Sequence, residues 1–96
     1  MKKFYALILG ASSGFGKSIS LALAKDGVNI IGVHLDRSST MPDVEQLIED
    51  IKAYGVEARF YNVNAADSGK RKMIIDETAE LFKNNPEAEI KVMLHS

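Results

Sequence analysis

The 96-residue chain contains no cysteine, which excludes a disulfide framework and any thiolate-bound metal. Charge of one sign is also missing. Twelve Lys and Arg stand against 13 Asp and Glu, for a net charge of −1, so no bulk attraction to nucleic acid or to an anionic membrane is expected. No apolar run approaches the length of about 18 residues that a transmembrane helix needs. The start, MKKFYALILG, places two lysines before an apolar stretch, but that stretch runs only from Phe4 to Leu9, short for the roughly 7–15 residues of a signal-peptide core. The expectation is a cytoplasmic protein with neither a nucleic-acid nor a membrane partner. Internal repeats and low-complexity segments are absent too, and no second ligand is spaced to make a metal site of His95.

What is present suits one small domain, residues 1–96. A chain of this size buries roughly 60–65% of its unfolded surface, and 46% hydrophobic with 26% charged residues is ordinary for a globular protein. Four apolar runs alternate with helical patterns. Tyr5–Leu9 is continuous and apolar, as a strand buried on both faces should be. Val28–Leu35 is rich in β-branched residues, Val56–Val63 partly alternates and reads as a strand nearer an edge, and Ile90–Leu94 is the fourth. The first helix spans about Phe15–Lys25, with Ile19, Leu21, Ala22, Leu23 and Ala24 making a mostly apolar surface. The second opens at Thr40-Met41-Pro42, carries Val44, Leu47, Ile48 and Ile51 at helical spacing, and stops at Gly55 in the C′ position. The third spans about Gly69–Asn84, with Ile74, Leu81 and Phe82 on one face and Asn84-Asn85-Pro86 as its stop. The order β-α-β-α-β-α-β demands right-handed crossovers and a parallel sheet. It predicts an α/β, Rossmann-like doubly wound fold with strand order 3-2-1-4.

Between the first strand and the first helix lies GASSGFGKS, Gly10 to Ser18. Its last three residues imitate a Walker A loop, G-x-x-x-x-G-K-[ST]. Counting back five from Gly16 reaches Ala11, however, and Gly10 is one residue too far for the loop to wrap a β-phosphate. No acidic Walker B partner ends the fourth strand, which closes on His95-Ser96. The other spacing, Gly10-x-x-x-Gly14-x-Gly16, follows a strand and enters a helix, the setting of a dinucleotide fingerprint. There Gly10 lets the chain turn, Gly14 lets the backbone approach a pyrophosphate, and Gly16 permits close packing of helix on strand. The helix N-terminus adds unpaired N–H groups and partial positive charge. Ser12 and Ser13 can donate hydroxyls to the loop or its ligand, and Phe15 covers the ligand or the neighbouring loop.

In this glycine pattern, and in the spacing from Gly16 to Gly27 before the second strand, the chain resembles the short-chain dehydrogenases/reductases. Leu9 replaces the threonine usual before the first glycine, and Asn62-Val63 stands where the family writes Asp-Val, implying an adenine contact. His95-Ser96 replaces the family's Asn-Asn-Ala-Gly. That ending, with Gly32-Val33-His34-Leu35-Asp36-Arg37, looks like the enoyl-thioester reductase branch, which reduces enoyl-acyl-carrier-protein or enoyl-CoA. The resemblance implies a nicotinamide dinucleotide, NAD or NADP, held at its pyrophosphate by Gly10, Ser12, Ser13, Gly14, Phe15 and Gly16. It also implies a small-molecule or acyl-thioester substrate and a homo-oligomeric parent, with His95 and Ser96 near the nicotinamide ribose.

Asp36 lies twenty residues beyond Gly16, where a carboxylate binds the adenosine ribose and selects NAD. The position more common in the family holds His34. Arg37, next door, would pair with a 2′-phosphate and favour NADP. The balance tilts to NAD through Asp36, against the reading of Asp36–Ser39 as a solvated loop. Lys17, Lys25 and Lys70-Arg71-Lys72 read as solvated charges.

The family's Tyr-x-x-x-Lys pair, in which the lysine lowers the pKa of a tyrosine acid, is missing. Tyr5, Tyr54 and Tyr61 are followed four residues later by Leu9, Ala58 and Ala65, so no catalytic residue is assigned. The pair would follow the fourth strand, and an apolar edge strand with no covering charge is an aggregation hazard, so the expectation is a truncated chain without turnover of its own. Two other classes stay open: a non-catalytic nucleotide-binding Rossmann module, and an NTPase.

Overall fold

The structure, a computed structural model, describes residues 2–64 and 67–95. Seven elements follow one another: β1 (Lys3–Leu9), α1 (Gly14–Lys25), β2 (Asn29–His34), α2 (Met41–Lys52), β3 (Ala58–Asn62), α3 (Ser68–Asn84) and β4 (Ala88–His95). All strand pairings are parallel and the order is β3-β2-β1-β4, as the alternation of strands and helices requires. The central strand β2 is buried at all six of its residues, NIIGVH.

The two faces are covered unequally. On one, α1 and α2 press Leu47 and Ile51 against Ala6, Ile8 and Ile30. On the other, α3 alone covers Tyr5 and Ile31 with Leu81, and Phe82 meets the Tyr5 ring edge-on at 5.5 Å. Toward the C-terminal ends of β1 and β4 this second face opens into an apolar groove of about 560 Å³, with Leu7, Ile75 and Met93 in its walls.

Each helix ends for a local reason. Ser13 caps α1, accepting from the Gly16 N–H. At its other end Gly27, at φ +86°, closes a Schellman turn in which Val28 N–H donates to Leu23 O and Gly27 N–H to Ala24 O. Asp67 caps α3 through the N–H groups of Gly69 and Lys70. The Asn85 amide closes that helix by donating to Leu81 O.

Some expectations shift. The buried line of α1 is Gly16, Ser20 and Ala24 rather than its larger apolar residues, and Ala22 is exposed. Small residues at i, i+4 spacing bring the helix axis close to the sheet, and Ser20 satisfies its hydroxyl on Gly16 O at 2.7 Å. Gly55 does take positive φ, but two residues beyond the cap Ala53 rather than one. Strand β4 begins at Ala88, earlier than its apolar run, and carries charge: Glu89 pairs with Lys2, and Lys91 lies 4.5 Å over the Phe4 ring. The pairing slips at Tyr5/Ala6, leaving Lys91 as an extra residue between the partners Ile90 and Val92.

Candidate functional site

The C-terminal ends of the four strands form one crest, and the residues singled out from the sequence lie along it. At the end of β1, Gly10 turns at φ +80°, a conformation open to glycine. The Gly10 and Ala11 N–H groups both donate to Val33 O, tying the turn to β2. Gly16 is buried beneath it. A Cβ there would lie 2.1 Å from Gly10 O, so helix and strand meet at a distance only glycine allows. Gly14 is the opposite case: it is exposed, and a Cβ would meet nothing within 4 Å. Phe15 is exposed beside it. Ser13 spends its hydroxyl inside the loop, donating to Gly10 O at 2.8 Å while capping α1.

Ser12 crosses to the tip of β2. Its hydroxyl donates to Asp36 Oδ1 at 2.5 Å, in the range of O–H bonds to carboxylates. The same oxygen lies 3.0 Å from His34 Nδ1, whose ring is buried against Phe60. The Ser12 hydroxyl, with smaller contributions from Thr40 and His34, holds the Asp36 carboxyl below the usual carboxylate range against the opposing effect of burial. A negative charge is therefore kept at this spot. Beside it a recess of about 170 Å³ is lined by Ser12, Lys17 and Asp36, by Thr40 at the cap of α2, and by Asp43 of α2.

Arg37 is exposed just beyond, its carbonyl accepting from Thr40 and Met41 at the start of α2. Asn62 ends β3 opposite His34 and bonds the main chain of Asp36. Val63 is half-buried, and its N–H donates to His34 O. His95 lies beyond β1, opposite Leu9, exposed at the mouth of the apolar groove. Ser96 lies outside the described residues. Structure thus gathers Gly10, Ser12, Asp36 and Asn62 into one cluster and leaves His95 on the far side of β1. Sequence reasoning assigned no part to His34, whose ring lies beside the Asp36 carboxylate. The signal was its place in β2: it falls on the Ile30–Gly32 face, two residues before Asp36.

Among the described residues no three His, Asp or Glu side chains converge to hold a metal ion. None of their helices is long and apolar enough to cross a membrane. A second polar cluster lies at the opposite, N-terminal ends of the strands. Glu57 accepts from Lys3 and Tyr5, each at 2.6 Å, and from Arg59 at 3.3 Å, while Asn29 bridges Phe4 O and the Glu57 N–H. Burial works to raise the Glu57 pKa, but these donors outweigh it and the carboxyl stays below its ordinary value.

Comparison with known proteins places the chain in a family. The chain is 36% identical over 77 residues to 3-oxoacyl-(acyl-carrier-protein) reductase FabG of Staphylococcus aureus, covering 80% of this chain and 30% of the relative. It is 31% identical over 77 residues to L-rhamnose 1-dehydrogenase (NADP(+)) of Thermoplasma acidophilum, covering 80% and 29%. The crystal structure of carveol dehydrogenase from Mycobacterium avium in complex with NAD superposes with a TM-score of 0.75 at 22% identity, covering 97% of this chain and 35% of the other. The chain therefore spans about 30% of the length of the curated relatives it matches. The family profile described as short chain dehydrogenase matches residues 5–91. The chain belongs to the short-chain dehydrogenase family.

Proposed function

We propose that the chain is the nicotinamide-dinucleotide-binding part of an oxidoreductase that reduces a carbonyl or an enoyl thioester. The observation that carries this reading is the pairing of a glycine turn that opens α1 with a carboxylate fixed at the adjacent strand tip. Open space over Gly14 leaves room for a pyrophosphate against the backbone, and the partial positive charge of the α1 N-terminus favours one. Asp36 presents an acceptor for ribose hydroxyls and repels a 2′-phosphate, which favours NAD over NADP. When bound, the dinucleotide supplies the hydride; the residues of this chain bind and orient it. The likeness to the 3-oxoacyl-(acyl-carrier-protein) reductase of Staphylococcus aureus supports the carbonyl of an acyl thioester over an enoyl group.

Titration of the purified chain with NADH and NADPH, followed by the fluorescence of the reduced nicotinamide, tests the reading. NADH should bind, NADPH more weakly. Asp36→Asn should weaken NADH by about tenfold, the worth of a hydrogen bond to a charged group, and narrow the gap to NADPH. Binding of magnesium ATP in preference to either dinucleotide would overturn the reading, as would a wild-type preference for NADPH overturn the role of Asp36.

A further inference from the structure

Asn62 is exposed at the end of β3, yet its side chain is fully engaged. Its Oδ1 accepts from the Asp36 N–H at 2.9 Å, and its Nδ2 donates to Asp36 O at 3.1 Å and to Met41 Sδ at 3.4 Å. One amide thus holds both main-chain groups of a residue 26 positions earlier in the chain.

The register explains why that amide is needed. Along β2 and β3, Ile30 pairs with Ala58 and donates its N–H to the residue before that partner, Glu57. Stepping by two residues, a continued ladder would send the Asp36 N–H to Val63 O. The last rung observed is Val63 N–H to His34 O; beyond it the backbones diverge, and Asn62 Oδ1 takes the place of the missing carbonyl. The side chain extends the sheet by one rung. That rung fixes the residue whose carboxylate meets Ser12 on its other side.

We infer that Asn62 is a positioning residue, which pins the main chain of Asp36 so that its carboxylate stands at the ribose site, and that it does not read the adenine edge. The role rests on the dinucleotide reading above, but the clamp itself does not. Asparagine suits it because an amide both donates and accepts. An aspartate at this position, the residue the family resemblance leads one to expect, would lack the N–H for Asp36 O and add a second negative charge beside the first.

The two roles separate with three small nucleotides: ADP, 2′-deoxy-ADP and IDP, which stand for the adenosine half, that half without the ribose hydroxyl, and that half without the adenine amino group. Their affinities for wild type, Asn62→Ala and Asn62→Asp are compared by calorimetry, and exchange of the Asp36 amide hydrogen is followed by NMR. In wild type, loss of the 2′-hydroxyl should cost about tenfold. Both variants should shrink that penalty toward none and leave the ADP-to-IDP ratio unchanged. Asn62→Ala, which removes the acceptor, should also speed Asp36 amide exchange about tenfold or more, whereas Asn62→Asp keeps an acceptor for that N–H. An unchanged 2′-deoxy penalty with a lost preference for ADP over IDP would overturn the inference in favour of base reading. So would an Asp36 amide whose exchange is the same in wild type and Asn62→Ala, provided their spectra show the same fold. Should wild type bind none of the dinucleotides or their adenosine halves, the dinucleotide reading falls and the ribose role with it; exchange then reports on the clamp alone.

Discussion

The two faces of the sheet are built on different terms. Beneath α1 and α2 lie Ala6, Ile8, Ala24, Ile30, Leu47 and Ile51, each no more than 1% exposed. Beneath α3 only Tyr5 and Ile31 reach that depth, Leu7 and Phe82 are half-buried, and Ile75 and Met93 are exposed beside the groove. Apolar burial contributes roughly 25 cal/mol per Å², so the closed face provides most of the hydrophobic stabilisation. The recess beside Asp36 belongs to that face too, since Val44 and Leu47 line it together with Ser12 and Asp36. The site is thus supported where packing is tightest, and the loosest packing lies across β1 from it.

The sharpest way to break this contrast is to truncate one leucine on each face. Leu47→Ala should cost near the upper part of the 2–5 kcal/mol range for a buried leucine, because close neighbours on every side cannot collapse into the cavity. Leu81→Ala should fall near the bottom of that range, since its surroundings open to solvent. Urea unfolding of both variants measures the difference, and equal losses would show that the faces are energetically alike.

Glycines of the loop give the next largest effect. Gly16→Ala drives a Cβ into Gly10 O and should cost about 1–3 kcal/mol, with α1 displaced from the sheet. Gly14→Ala should leave the unfolding midpoint within about 0.5 kcal/mol of wild type and weaken dinucleotide binding instead. If Gly14→Ala destabilises as much as Gly16→Ala, the division of the loop into a packing and a ligand-facing glycine is wrong.

On the open face, Tyr5→Phe removes the hydroxyl that reaches Glu57 and should cost about 1 kcal/mol, read from the same denaturation curves. Lys3 and Arg59 remain to hold the carboxylate.

The smallest effect is on pH. Asp36 and Glu57 both titrate below their unfolded values in the folded chain. Their contributions are therefore complete above the ordinary carboxylate range near pH 4 and are lost as pH falls through the depressed folded values. Unfolding midpoints should drop more steeply on the acid side for wild type than for Glu57→Gln. Parallel acid limbs would remove Glu57 from that account.

The closed face was largely legible in the sequence. Val44, Leu47 and Ile51 have a helical period, the β-branched run at β2 reads as a buried strand, and a strand-helix alternation permits few topologies. Gly10 and Gly16 were legible because each does a backbone job that spacing alone reveals. The engagements of side chains were not. Nothing in the order of residues says that Ser13 turns inward to cap a helix while Ser12, its neighbour, reaches across to Asp36. Nor does it say that Asn62 would hold the main chain of Asp36. These depend on how far apart two strand tips splay, and that follows from packing between residues distant in sequence. The line of small residues on α1 escaped for a related reason: Ser20 counts as polar in any apolar period, yet it is buried because its hydroxyl donates to the Gly16 carbonyl of its own helix.

Gly32, in the middle of β2, leaves a space that its neighbour uses. A Cβ there would come within 2.7 Å of the Phe60 ring, which lies over the glycine and against His34. The two positions share a single volume, one holding none of it and the other all of it. Residue choice at 32 and 60 is then a joint property: enlarging the first is tolerable only with a smaller partner at the second. Through His34 that trade would be felt at Asp36, so the setting of this carboxylate depends on a ring of the neighbouring strand.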